Sequence, residues 1–100
     1  MTLDEVTNTE DLDQRVHDFH LMDAERTELI RAFLLSGHML TTDELVRVFG
    51  AYQFEIGRVE AIKTLCPECI TREQVQQELL PLIKFFSYKR QLVHDLSLAQ

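Results

Sequence analysis

The sequence predicts an all-α fold of six helices, arranged as three stacked antiparallel helix pairs. Three glycines and two prolines in 100 residues are too few for the turns of a strand-rich fold. Residues that favour helices dominate the composition, and a pattern of about 32 residues recurs three times. With 45% apolar residues, residues 1–100 can form one domain with a real core. Residues 1–7 are a lead that need not be ordered.

Start and stop signals divide the chain into helices. In a capping box, a threonine and the acid or amide three residues later satisfy each other's backbone N–H groups. Such boxes begin at Thr7, Thr41 and Thr71. Gly37 and Pro67 predict helix ends, and Pro81 predicts a kink or a restart. The predicted helices cover residues 8–21, 23–36, 42–51, 53–66, 72–84 and 86–97.

An arginine returns at each step of the repeat, in the middle of an apolar helix face. A shift of about 32 residues aligns Arg26, Arg58 and Arg90. An arginine stem can lie along apolar neighbours while its guanidinium reaches a helix end or a carboxylate. We therefore expect all three to be hydrogen-bonded struts inside the stack, because a buried charge without a partner is costly. The alternative is one groove in which the three guanidinium groups bind an anionic peptide or phosphate.

The second copy of the repeat resembles a known family. FEIGRVEAIK and CITREQV contain Phe-acid-x-x-Arg, a basic residue five positions on, and a helix start of the form Ile-Thr-x-x-Gln-Val. The matching residues are Phe54, Glu55, Arg58, Lys63, Ile70, Thr71, Gln74 and Val75. Over residues 16–96, the chain thereby resembles the domain-of-unknown-function 4476 family, which implies an all-helical fold and no established activity. Copy one has Met22 in place of Phe, and copy three has Ser87 and Asp95 at the acidic and basic positions.

The charge of the chain is concentrated at its start. Residues 1–28 contain nine acidic residues and two arginines, and the remainder is neutral overall. An acidic segment argues against nucleic acid or an anionic membrane as the main partner. It suits a basic protein segment, with Asp11, Asp13 and Asp18 as candidate contacts, or it serves solubility alone. Without a membrane-spanning stretch or a signal peptide, the expected location is the cytoplasm.

Cys66-Pro67-Glu68-Cys69 is the stretch with the most reactive side chains. A CxxC at a helix start favours a thiolate, but this one follows a helix, whose dipole disfavours a thiolate. Redox chemistry at Cys66 and Cys69, a disulfide between them, and two ordinary loop cysteines remain alternatives. A zinc site would need His17 and His20 to complete a Cys₂His₂ set. The favoured interpretation is two ordinary cysteines, with no cofactor and no metal.

An aromatic and basic cluster precedes the end of the chain. The repeat places Phe86 in the core, Phe85 also packs, and Tyr88 and Lys89 face outward as candidate partner contacts. Phe19 is likewise expected to face the core.

No arrangement of nucleophile, acid and base can be nominated, so the chain is not expected to be an enzyme. The sequence favours a protein–protein interaction module, an adaptor or scaffold within a larger protein, that binds a basic segment or an amphipathic helix. A small metal- or redox-sensing module and a homo-oligomeric structural element are the alternatives.

Overall fold

The computed structural model describes Val6 and residues 8–99, and this part of the chain is entirely helical, without a strand. The fifth helix changes type along its length, from α-helix (Arg72–Gln74) to π-helix (Val75–Leu79) to a 3₁₀ turn (Leu80–Leu82). We call these three segments together α5. The other helices are α1 (Thr9–Val16), α2 (Asp23–Leu35), α3 (Thr42–Phe49), α4 (Glu55–Leu65) and α6 (Phe86–Asp95).

Two of the three predicted capping boxes are confirmed. Thr41 and Glu44 satisfy each other's backbone N–H groups at 2.8 and 3.2 Å, and Thr71 and Gln74 do so at 2.8 and 3.0 Å. At the start of α1 the cap is Asn8, whose side chain accepts from the N–H of Asp11, whereas Thr7 lies outside the described residues. Asparagine is as good an N-cap as threonine, so the first helix begins one residue later than the pattern implies.

The predicted stop signals also act as expected. Gly37 has a φ of 93°, a left-handed conformation that is costly for residues with a β-carbon. The α4 helix ends at Leu65, just before the Cys66-Pro67 peptide. Pro81 lies where α5 tightens into its 3₁₀ turn, because a proline has no N–H to continue the helical ladder.

Helix contacts follow a regular order along the chain. Helix α1 packs against α2 and α3, α2 packs against α4, α3 packs against α5, and α4 packs against α6. The core lies between these helices and includes Val16, Ile30, Val48, Ile62 and Leu92. The molecule measures 42 × 26 × 20 Å.

Arg26 closes the connection between α1 and α2. Its side chain is 1% exposed, and its Nε donates to the carbonyl of Val16 at 2.6 Å. Its two terminal nitrogens donate to the carbonyls of Leu21 and Asp18 at 2.8 and 2.7 Å and to the carboxylate of Asp23 at 3.0 Å. The guanidinium thus satisfies carbonyls that the end of α1 leaves without helical partners. This arrangement explains why α1 ends at Val16, five residues earlier than predicted.

Arg58 has a similar position between α3 and α4. Its Nε donates to the carbonyl of Phe49, the last residue of α3, at 2.8 Å. Its Nη1 lies 3.3 Å from the carboxylate of Glu55, three residues earlier on α4. In both pairs, a carbonyl near the end of the first helix and an acid on the second helix neutralise the arginine.

Arg90 differs from the other two arginines, which corrects the expectation that all three share one environment. It is exposed, and its guanidinium lies 5.7 Å from the centre of the Phe86 ring. Within residues 8–99 it forms neither a hydrogen bond nor an ion pair. The acid three residues earlier is replaced by Ser87, which explains the missing ion pair. The alternative of one anion-binding groove is also wrong for Arg26 and Arg58, whose donors bind the protein itself.

The acidic partners of Arg26 and Arg58 also join the start of one helix to the start of a later one. The carboxylate of Asp23, the first residue of α2, accepts from the N–H of Gln53 at 2.9 Å and of Phe54 at 3.1 Å. These N–H groups belong to the start of α4, so Asp23 caps a helix 31 residues away. Gly57 allows this contact, since a β-carbon there would lie only 2.3 Å from Asp23 Oδ2.

Glu55 forms a second contact of this kind, and we call the two contacts between a carboxylate and the start of a later helix the joints. Its Oε1 accepts from the backbone N–H groups of Lys84 and Phe85, the latter at 3.1 Å, at the start of α6. Its Oε2 faces Arg58. The residue of α6 that corresponds to Gly57 of α4 is Tyr88, which leaves less room for a close approach. The side chain of Glu55 is longer than that of Asp23, so it can reach the start of α6 from farther away.

A buried tyrosine lies beside the first joint and makes stability depend on pH. The Tyr52 hydroxyl is 2.7 Å from Thr27 Oγ1, and burial raises the pKa of Tyr52 to about 12. In the unfolded chain the phenol ionises near pH 10. Between these two values only the unfolded state loses the proton, so the stabilisation is complete below pH 10 and is lost as pH rises towards 12.

We therefore expect the free energy of unfolding to fall by about 1.4 kcal/mol per pH unit above pH 10 because of Tyr52. Urea unfolding at pH 9, 10 and 11 measures this slope, and a Tyr52→Phe variant is the control because it lacks the titrating group. Parallel losses in the wild type and the variant would contradict the assignment.

Candidate protein-interaction surface

Large apolar side chains are exposed at the starts of α2, α4 and α6. Met22, Phe54 and Phe86 are 69%, 65% and 72% exposed. The expectation that Phe19 and Phe86 face the core is therefore wrong, because Phe19 is 74% exposed. Phe85 is exposed as well, with its ring edge-on to Tyr88.

The joints bring the starts of these helices close together. Asp23, next to Met22 in the chain, binds the backbone N–H of Phe54 across the α2–α4 contact. Glu55 binds the backbone of Phe85, which continues the row to α6. Eight large apolar residues are exposed in the described part, and six of them belong to this row. We call the row the N-terminal edge, because it follows the N-terminal ends of α2, α4 and α6. Its members are Phe19, Met22, Phe54, Ile56, Phe85 and Phe86.

The helix caps explain why apolar residues can occupy these positions. Met22, Phe54 and Phe85 are the N-cap residues of α2, α4 and α6, where serine, threonine, aspartate or asparagine is usual. The backbone N–H of each N-cap residue binds a carboxylate, as the N-cap N–H of a capping box does. The N-cap side chains themselves make no cap hydrogen bond and are exposed. The three apolar N-cap residues lie 32 and 31 residues apart, and this spacing is the signal in the sequence that could have revealed the surface.

Helix α2 is capped differently, by an acid in its own first turn. Glu25, in the first turn of α2, accepts from the N–H of Met22 at 3.0 Å. Position 57 of α4 is a glycine and position 88 of α6 is a tyrosine, so neither helix has an acid there. Asp23 of α2 and Glu55 of α4 bind the corresponding N–H groups of α4 and α6 instead.

The three predicted acidic contacts occupy different environments on the first pair. Asp11 binds Arg15 at 3.3 Å on the same helix. Asp13 is half-buried, and its Oδ2 lies 3.8 Å from Arg47 on α3. Asp18 is exposed, and the backbone N–H of His20 lowers the pKa of its carboxyl. Asp11 and Asp18 are thus available to a basic partner, whereas reversing the charge of Asp13 would also disturb the contact with α3.

Tyr88 and Lys89, the other predicted contacts, are both half-buried rather than fully outward. They lie on the first turn of α6, next to Phe85 and Phe86. They therefore belong to the border of the N-terminal edge and not to the acidic part of the surface.

The two cysteines are free thiols at the end of α4. Cys66 is buried, and burial raises the pKa of its thiol, which disfavours the thiolate that redox chemistry needs. Cys69 is half-buried, and its N–H donates to the carbonyl of Leu65 at 2.8 Å. Both observations weigh against a redox site, which stays an untested prediction.

A shared zinc site for the two histidines and the two cysteines has no support in the geometry. His17 Nδ1 binds the carbonyl of Asp13 at 2.7 Å, and His20 Nδ1 lies 3.2 Å from the carboxylate of Asp18. Within the described residues, no three histidine, cysteine or acidic side chains converge as metal ligands.

None of the helices in this part combines the length and apolar character needed to cross a membrane.

Comparisons with family models, with curated proteins and with solved structures find no match to this chain. What the chain can do is therefore argued from its own residues.

Proposed function

We propose that this chain is a non-catalytic protein–protein interaction module, an adaptor or scaffold within a larger protein. The observation that carries this proposal is the N-terminal edge, a row of exposed aromatic and aliphatic side chains on a rigid helical support. Contiguous apolar patches of this kind on soluble proteins mark interaction sites. Aromatic residues are also enriched at the centres of such interfaces.

The proposed architecture is a stack of three antiparallel helix pairs that repeat every 32 residues or so. The order of helix contacts, the similar settings of Arg26 and Arg58, and the equivalent joints made by Asp23 and Glu55 support it. The third copy differs, because Ser87 stands at the acidic position and Arg90 is exposed. The resemblance to the domain-of-unknown-function 4476 family remains part of this proposal.

The half-buried acids of the second helices support a non-catalytic role. Asp23 and Glu55 each bind an arginine and two backbone N–H groups, so most of their acceptor sites are used within the fold. Glu25 and Glu44 are engaged as helix caps. These carboxylates stabilise the fold, and the edge is the surface that remains for recognition.

The partner is a protein segment with an apolar face, such as an amphipathic helix, or a basic segment that meets Asp11 and Asp18. A homo-oligomer is the second candidate function, because an exposed apolar edge also suits self-association. Sedimentation of the purified chain at increasing concentration separates the two, and we expect it to remain monomeric.

A quantitative affinity pull-down from cells of the source organism tests the proposed function. We expect a Phe19→Ser, Phe54→Ser variant to lose partners that the wild type retains, since the edge supplies the apolar contact. Leu35→Ser, Met39→Ser is the matched control, because both residues are equally exposed but lie outside the edge. Identical partner lists for the wild type and the edge variant would overturn the proposal. An Asp11→Lys, Asp18→Lys variant tests the acidic contacts separately.

A further inference from the structure

The free side of the third helix pair carries an open groove between α5 and α6. It encloses about 760 Å³, and its apolar lining includes Leu80, Val93 and Leu98. Phe86 and Arg90 stand at its border. No helix of the described chain covers this side, whereas α2 and α4 are each covered by the second helix of the following pair.

The charges around the groove are predominantly basic. Lys89 and Arg90 line it and have no ion pair with any described residue. Asp95 also lines it, but Lys63 of α4 lies 3.6 Å from its carboxylate, so its charge is already compensated. A segment that enters the groove therefore meets two unneutralised cations above an apolar floor.

The same chain shows twice what this arginine position binds. Arg26 and Arg58 each hold a carboxylate from the residue three positions earlier, at 3.0 and 3.3 Å. At the third position that residue is Ser87, which cannot supply the charge. The guanidinium of Arg90 stays exposed over the Phe86 ring instead. Arginine matches a carboxylate through paired N–H donors, so an acid from another molecule can take the missing place.

We infer that this groove binds one amphipathic helix of a partner protein, with its apolar face on Leu80, Val93 and Leu98 and an aspartate or glutamate on Arg90. This inference rests on the proposed function, because it names the partner of the same module. The helix would occupy the side on which a following helix pair would otherwise pack, and its acid would replace the one that Ser87 lacks.

A second copy of this chain fits the groove less well. The two internal joints each need an acid at the start of one helix and free N–H groups at the start of the next. At the start of α2, Glu25 already satisfies the N–H of Met22, and Ser87 offers no carboxylate to it. End-to-end continuation of the stack therefore lacks the contact that joins its internal pairs, which leaves a heterologous helix as the occupant.

A displayed library of random 18-residue helical peptides, selected on the purified chain, tests the inference. We expect enriched peptides to carry apolar residues at helical spacing next to an aspartate or glutamate. They should bind an Arg90→Gln variant about tenfold more weakly, because a charge-assisted pair is lost. Arg72→Gln, which removes an equally exposed arginine outside the groove, should leave their affinity unchanged. Backbone amide shifts should move at residues 80, 93 and 98.

Several results would overturn the inference. These are the absence of any enrichment, enriched peptides that lack an acid, and equal affinity for the wild type and Arg90→Gln. Peptides that move only amides near Phe19 and Phe54 would also overturn it while leaving the proposed interaction function intact. A dimer of the wild type that Arg90→Gln abolishes would assign the groove to a second copy and reject the heterologous helix. Circular dichroism verifies that each variant keeps its helices.

Discussion

Replacing Arg26 with methionine should destabilise the fold by about 3–5 kcal/mol, the range for removing one partner of a buried charged network. The methionine keeps most of the apolar stem but removes donors to three backbone carbonyls and to Asp23. Those buried acceptors would then lack partners, and the Asp23 carboxylate would lose its counter-charge. Urea unfolding followed by circular dichroism measures the change, and a variant that is already unfolded without urea also meets the expectation.

Arg90→Met is the matched control for this change, since it makes the same substitution at the third position of the repeat. Its guanidinium is exposed and touches only the Phe86 ring, so the free energy of unfolding should change by no more than about 0.5 kcal/mol. Arg58→Met should fall between the two, since its side chain is 13% exposed and has fewer bonds. Equal effects of the three substitutions would refute the different environments of these arginines.

Replacing Gly57 with alanine should destabilise the fold by about 1–3 kcal/mol, as overpacking does. The usual effect of glycine to alanine inside a helix has the opposite sign, a gain of up to about 1 kcal/mol. The sign reverses here because the new β-carbon would lie 2.3 Å from Asp23 Oδ2 and 2.8 Å from Asp23 Cβ. Asp23 would have to leave the N–H groups of Gln53 and Phe54. Thermal and urea unfolding both report the change.

A double-mutant cycle isolates the cause of this effect. In a chain that already carries Asp23→Gly, both the carboxylate and the β-carbon of residue 23 are gone, and Gly57→Ala should be neutral or stabilising by up to about 1 kcal/mol. The difference between the effects of Gly57→Ala in the two backgrounds is the coupling free energy between positions 23 and 57. A stabilising effect of Gly57→Ala in the wild type would mean that the close approach of α2 and α4 is not as described.

Local chemistry made much of the helical framework predictable. The boxes at Thr41 and Thr71, the left-handed Gly37 and the break at Pro81 each depend on residues within one helical turn, which the sequence displays directly. The end of α1 depends on Arg26, ten residues later, and was therefore misplaced. Long-range capping by Asp23 and Glu55 spans about 30 residues and leaves no local signature.

The candidate surface was mispredicted because helical spacing was applied to residues outside regular helix. Phe54 is an N-cap with extended backbone, and Phe19 lies in the connection between α1 and α2, so neither belongs to a helix face. Phe86 is the first residue of α6 and is exposed there. The helical periodicity of apolar residues identifies the buried face correctly within a helix, as for Ile62. It does not apply to residues beyond the ends of the helix.

The joints also have a direction, which limits how such a protein can become longer. Each one runs from an acid on an earlier helix to the start of a later helix, with Glu25 closing one end and Ser87 the other. An additional helix pair inserted in the interior would find a carboxylate on the helix before it and N–H groups at the start of the helix after it. A unit placed next to α6 would bring its own N–H groups but would find no carboxylate at position 87 to accept from them, so the same contact could not form there.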